Sequence, residues 1–82
     1  MELRYDPKYN VAYIRFRQHS EEIETVRLSD EVLVDIAPDG RIFGIELLNA
    51  NEQLGILHGL DFRFTDESTG FTVQVPLKQK SA

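Results

Sequence analysis

The 82-residue chain predicts a mainly β fold: an antiparallel β-meander of about five strands, a short helical turn and a C-terminal β-hairpin. Three observations lead there. Apolar and polar residues alternate through most of the chain, which is the period of half-buried strands. Turn formers such as Asp6-Pro7, Ser29-Asp30 and Pro38-Asp39-Gly40 separate the alternating runs. The one segment with helical character, NANEQLG, meets Gly55 and Gly59, which deny it a long continuation.

In the first run, ELRYD, Leu3 and Tyr5 share one face while Glu2, Arg4 and Asp6 share the other. After Pro7 and Asn10, VAYIRFR turns Ala12, Ile14 and Phe16 inward and Tyr13, Arg15 and Arg17 outward, so the two runs make a hairpin. The polar stretch QHSEE is a loop. IETVRL follows with Val26 and Leu28 inward, and Ile23 on the wrong parity predicts a bulge or an edge position near it.

The segment VDIAPDGRIFGIE then forms a hairpin around Pro38-Asp39-Gly40, where proline pre-sets φ and glycine supplies a positive φ. Two registers compete. A three-residue loop pairs Ala37 with Arg41 and leaves Phe43 facing Asp35. A four-residue loop pairs Ile36 with Phe43 and Val34 with Ile45, gathering Val32, Val34, Ile36, Phe43, Ile45 and Leu47 on one face. The second is preferred, because a one-residue slip reverses a strand's faces and burial selects against it. Beyond the helical turn, started by Asn49 or Asn51, LDFRF and GFTVQVPL pair across TDESTG, with Phe71, Val73, Val75 and Leu77 on one face. Pro76 marks an edge or an end. The tail KQKSA is expected to fray.

Composition bounds the function. A chain of this length buries only roughly 60% of its unfolded surface, and with no cysteine it has neither disulfide nor thiolate zinc site to reinforce it. A homodimer is therefore expected. The charged N-terminus MELRYDPKYN lacks an apolar targeting core, and no run approaches the ~20 apolar residues of a membrane span. The expectation is a cytoplasmic protein with no membrane contact. The net charge is −5, and it resides in residues 29–82, with four Lys/Arg against nine Asp/Glu. Such a chain lacks the footprint of a general nucleic-acid binder and suits a basic protein partner better.

No motif specifies a reaction or a cofactor. His19 and His58 lack metal-ligand spacing, and there is neither a nucleophile elbow nor a phosphate-binding glycine loop. Three constellations remain. Asp35 and Glu46 lie diagonally on the polar face of one hairpin, with Asp6 on a nearby turn, as a carboxylate-dependent hydrolase would require if burial split their pKa values; solvated carboxylates would not serve. Arg4, Tyr13, Arg15 and Arg17, with Arg27, face outward on the first three strands, where they could meet RNA phosphates and bases or simply keep the sheet soluble. Gly44 sits mid-strand opposite Asp35 and beside Glu46. Either a bulky neighbour, from Leu48 or the C-terminal hairpin, covers it, or it floors a groove for a partner's basic side chain.

The runs MELRYDPKYNVAYIRF and LVDIAPDGRIFGIELLNA resemble the bacterial family known as domain of unknown function 2283. Met1, Tyr5, Asp6, Tyr13, Ile14, Phe16, Asp39, Gly40, Gly44, Ile45, Glu46 and Leu48 stand where its pattern would put them. The chain departs at Asn10, where the family usually has Asp, and at Ala12, where it usually has a larger aliphatic residue; a family role for that acidic group would be in doubt here. The resemblance implies a small β-rich domain without an assigned activity, and some relatives look like neighbours of small toxin-like genes. One small domain over residues 1–82 is expected, with a family-like core at 1–50 and an extension at 51–82. Its expected function is that of a non-enzymatic protein-interaction module, antitoxin-like towards a small basic protein. A carboxylate-dependent hydrolase and RNA binding are the alternatives.

Overall fold

In the computed structural model, which describes residues 1–18 and 22–77, the alternating runs form two sheets. The first holds β1 (Glu2–Asp6), β2 (Val11–Arg15), β3 (Glu24–Arg27), β4 (Val32–Ile36) and β5 (Ile42–Leu48), all antiparallel to their neighbours. A helical turn α1 (Ala50–Gln53) and a 3-10 turn η1 (Ile56–His58) precede β6 (Asp61–Asp66) and β7 (Phe71–Pro76), which make a separate two-stranded sheet. The hairpin therefore does not extend the first sheet. The expected frayed tail at 78–82 and His19 lie outside the described residues. The chain divides into two compact units, Met1–Ala50 and Asn51–Ala82.

The mainly β class holds, but the strand order is not that of a meander. It runs β1-β2-β5-β4-β3, so β5 enters between β2 and β4 and the segment after β2 crosses to the far edge. Strands β2 to β5 thus form a Greek key. Alternation within each strand specifies faces and leaves neighbours open, so a meander and a Greek key read alike in sequence. Ile23 directly precedes β3, which is an edge strand with all four residues exposed.

Each competing register holds over part of the β4–β5 hairpin. Val34 pairs with Ile45 and Asp35 with Gly44, as burial demands. At the tip, Ala37 N–H donates to the Arg41 carbonyl at 2.9 Å and Gly40 N–H to the Ala37 carbonyl at 2.9 Å, so the loop is the three-residue one. Gly40 has φ +92 there, which suits glycine. The conflict is resolved by a bulge: Ile36 pairs with Ile42, not with Phe43, and Phe43 is the extra residue. Its carbonyl still accepts from Phe16 N–H at 2.9 Å.

Ala12, Val34 and Phe43 are buried in this unit together with Ala37 and Ala50. One end of the sheet is tied by asparagines. Asn10 (φ +56) and Asn49 (φ +53) both adopt the left-handed conformation that asparagine tolerates. Asn10 Nδ2 donates to Asn49 Oδ1 at 3.3 Å, and Asn49 Nδ2 donates to Glu31 Oε2 at 3.0 Å. The β1–β2 turn, the end of β5 and the β3–β4 turn are so joined. Ala50 N–H adds a bond to the Asn10 carbonyl at 3.0 Å.

In the second unit, Gly55 and Gly59 bracket η1. The β6–β7 turn is held by Asp66, whose Oδ1 accepts from Ser68 N–H at 2.9 Å and from Ser68 Oγ at 2.6 Å. Phe62 pairs with Val75, Phe64 with Val73 and Asp66 with Phe71, so Phe62, Phe64, Phe71, Val73 and Val75 share one face, with Asp66 at its turn end. Arg63, Thr65, Thr72 and Gln74 occupy the other. Every residue of both strands is exposed.

Candidate functional site

The polar face of the five-stranded sheet is where the sequence-predicted residues meet. Register places Arg4, Tyr13, Glu46, Leu33 and Arg27 in one row across β1, β2, β5, β4 and β3. Glu2, Arg15, Gly44, Asp35 and Thr25 form the next row, which reaches β3. Asp35 and Glu46 are diagonal neighbours, as the spacing predicts.

The Tyr13 side chain leans across Gly44 to the strand beyond, where its hydroxyl donates to Asp35 Oδ2 at 2.7 Å. Thr25 Oγ1 donates to Asp35 Oδ1 at 2.7 Å from the edge strand. Both carboxylate oxygens are thus engaged, and β2, β4 and β3 are linked through one side chain. Burial pushes the Tyr13 phenol up to about 12, reinforced by its hydrogen bond to Asp35 and by that carboxylate's charge; Arg15 opposes the rise. The space above Gly44 belongs to Tyr13, which is the bulky neighbour that covers it, and not to Leu48. A Cβ added at Gly44 would collide with the end of the phenol and lie 2.9 Å from the Ile14 carbonyl oxygen.

The arginines divide. Arg4 Nε and Arg15 Nη2 both donate to Glu2 Oε1, at 3.2 and 2.9 Å. Arg17 leaves that row and sits with its guanidinium 5.7 Å from the Phe43 ring centre, while Arg41 approaches the same ring at 5.8 Å. Arg41 is also paired with Asp39 at 2.7 Å. Glu46 lies half-buried between Tyr13 and Leu33. Asp6 caps its own turn, accepting from Lys8 N–H at 2.9 Å, and borders an open hollow of about 350 Å³ with Arg4 and Tyr13. His58 is exposed at the end of η1. Among the described residues no group of three or more His, Cys, Asp or Glu is arranged to hold a metal, and no helix is long and apolar enough to cross a membrane.

Two features escape sequence reasoning. Thr25 reaches Asp35 only because β3 pairs with β4 in a register that spacing does not reveal. The aromatic face of β6–β7 is visible as alternation, but alternation reads as a face that is covered, whereas this one is open.

These features define a small antiparallel sheet domain, built on a Greek key and fastened on its polar face by a tyrosine–carboxylate–threonine bridge. The chain belongs to the family described as protein of unknown function DUF2283, whose sequence model matches residues 2–51. That segment coincides with the first compact unit to within a residue at each end. No curated protein and no solved structure matches the chain.

Proposed function

We propose that this chain is a non-enzymatic protein-interaction module whose contact surface is the apolar face of the β6–β7 hairpin. One observation carries the reading: three phenylalanines and two valines share a face of a hairpin in which every residue is exposed. A two-stranded hairpin is marginal in water by itself, and an apolar face on it gains stability from a partner. The acidity of the chain makes a small basic protein a suitable second partner, in the manner of an antitoxin.

Two other readings find less support. RNA binding through Arg4, Tyr13 and Arg15 would require both guanidiniums to leave Glu2 and the phenol to leave Asp35. A hydrolase built on Asp35, Glu46 and Asp6 would work with one carboxylate held at both oxygens and another capping its own turn.

The test uses the full chain diluted below any self-association, with an apolar fluorescent dye and amide hydrogen exchange. Dye fluorescence that falls on Phe64→Ser substitution, with rapid exchange in β6 and β7, supports the reading. A protected hairpin that leaves the dye silent overturns it.

A further inference from the structure

We infer that the occupant of the hairpin face is a second copy of this chain, the two hairpins stacking face to face about a twofold axis. The inference rests on the reading just given and commits it to a partner. Its first support is area. Phe62, Phe64 and Phe71 are 47%, 57% and 60% exposed, and Val73 and Val75 are 42% and 50% exposed. With about 200 Å² for each phenylalanine and somewhat less for each valine, the face offers roughly 500 Å² per copy. Two copies together remove roughly 1,000 Å² from water, the lower bound for a specific interface. Leu60, 57% exposed at the foot of β6, adds to it.

Charge placement is the second support. A twofold contact juxtaposes a surface with itself, so a charge at its centre would meet its own likeness. On this hairpin the charges avoid the centre: Asp61 and Arg63 project from the opposite face, Glu67 lies in the turn, and Asp66, which shares the apolar face, stands at its turn end beside Phe71. The middle of the face, Phe62, Phe64, Val73 and Val75, is apolar. A basic partner would be better matched by carboxylates within the patch, and the patch has none at its centre. Sheets packed face to face also interlock through alternating side chains, which three rings and two β-branched residues supply.

Long-range repulsion between two chains of net charge −5 opposes the contact, so association through this face strengthens with added salt.

Sedimentation equilibrium of the full chain at micromolar concentration tests the inference, using wild type, Phe64→Glu and Val73→Thr, with Thr72→Lys on the polar face as control. Expected are a wild-type dimer tightened by salt, a dissociation constant raised at least a hundredfold by Phe64→Glu and several-fold by Val73→Thr, and little change for Thr72→Lys. Val73→Thr keeps shape and strand preference, so weakening by it cannot be ascribed to an unfolded hairpin. A dimer indifferent to both face variants overturns the inference and leaves the interaction reading standing on a different partner. A wild-type monomer whose hairpin still binds dye does the same. A monomer with a dye-silent, protected hairpin overturns the inference and the interaction reading together.

Discussion

The Tyr13 hydroxyl donates to Asp35 Oδ2 at 2.7 Å from two strands away, its ring lying over the backbone of Gly44 in the strand between. The bond therefore spans the central strand without involving a side chain of that strand. Tyr13→Phe removes one charge-assisted bond and leaves Asp35 held by Thr25, with an expected loss of about 1–2 kcal/mol in urea unfolding. Added to Thr25→Val, it should cost more than the two single losses together, because the half-buried carboxylate then loses both its donors.

Burial of the Tyr13 phenol, reinforced by this bond, makes stability fall at high pH. With the folded phenol at about 12 and an unperturbed value near 10, the unfolded chain releases its proton first. Between these values folding takes up a proton, so the contribution is complete below pH 10 and lost as pH rises through 12. The urea midpoint should drop over this window more in wild type than in Tyr13→Phe. The difference in phenolate absorbance between the two proteins gives the Tyr13 titration directly.

Gly44→Val should destabilise the sheet by about 1–3 kcal/mol in spite of valine's preference for strands. The new side chain meets the phenol on one side and the Ile14 carbonyl on the other. Truncating Tyr13 to alanine in the same chain should recover only part of the loss, since the carbonyl stays where it is. Full recovery, read from the denaturation midpoint, would contradict this geometry.

Asn10 has both a left-handed backbone and a side-chain bond to Asn49. Asn10→Ala should cost about 1–2 kcal/mol, combining the loss of asparagine's tolerance of the left-handed backbone with the lost amide bond. Asn10→Gly relieves the backbone and should cost about half as much. Thermal melts of the two variants, compared with Asn49→Ala, separate backbone from bond.

Asp66 is held below the usual carboxylate value, first by the Ser68 hydroxyl and then by the Ser68 N–H. A lowered folded value means that its contribution is present above the unfolded pKa and is lost as pH falls through the folded one. The Ser68 amide resonance should follow that titration, and Asp66→Asn should abolish the pH dependence while keeping much of the turn.

The fold class was legible because each strand carries its own alternation, and the turns were legible because Pro38, Asp39 and Gly40 act locally. Position in the sheet was not. Nothing in β5 says that it will lie beside β2, since Ile45 and Leu47 serve equally against any apolar neighbour. The bulge at Phe43 lies between these cases: turn chemistry and burial each predicted a register, and an inserted residue satisfies both. Of the site residues, Asp35, Gly44 and Tyr13 were placed on the right face by parity. Their mutual reach was hidden, because Tyr13 crosses a strand diagonally where alternation describes only direct neighbours.

The Greek-key order also dictates when the sheet can be completed. As the chain leaves the ribosome, β1 and β2 can pair at once through a short turn, but the inner edge of β2 waits for the strand that ends at Leu48. Until then its backbone groups are open to any other strand, including the same strand of a neighbouring nascent chain. β3, β4 and β5 pair through short connections, whereas the β2–β5 pairing joins strands far apart in the sequence, the class of contact that slows folding. The β2–β5 seam is thus the last part of the sheet to close during synthesis and the place where crowding of unfinished chains does most harm.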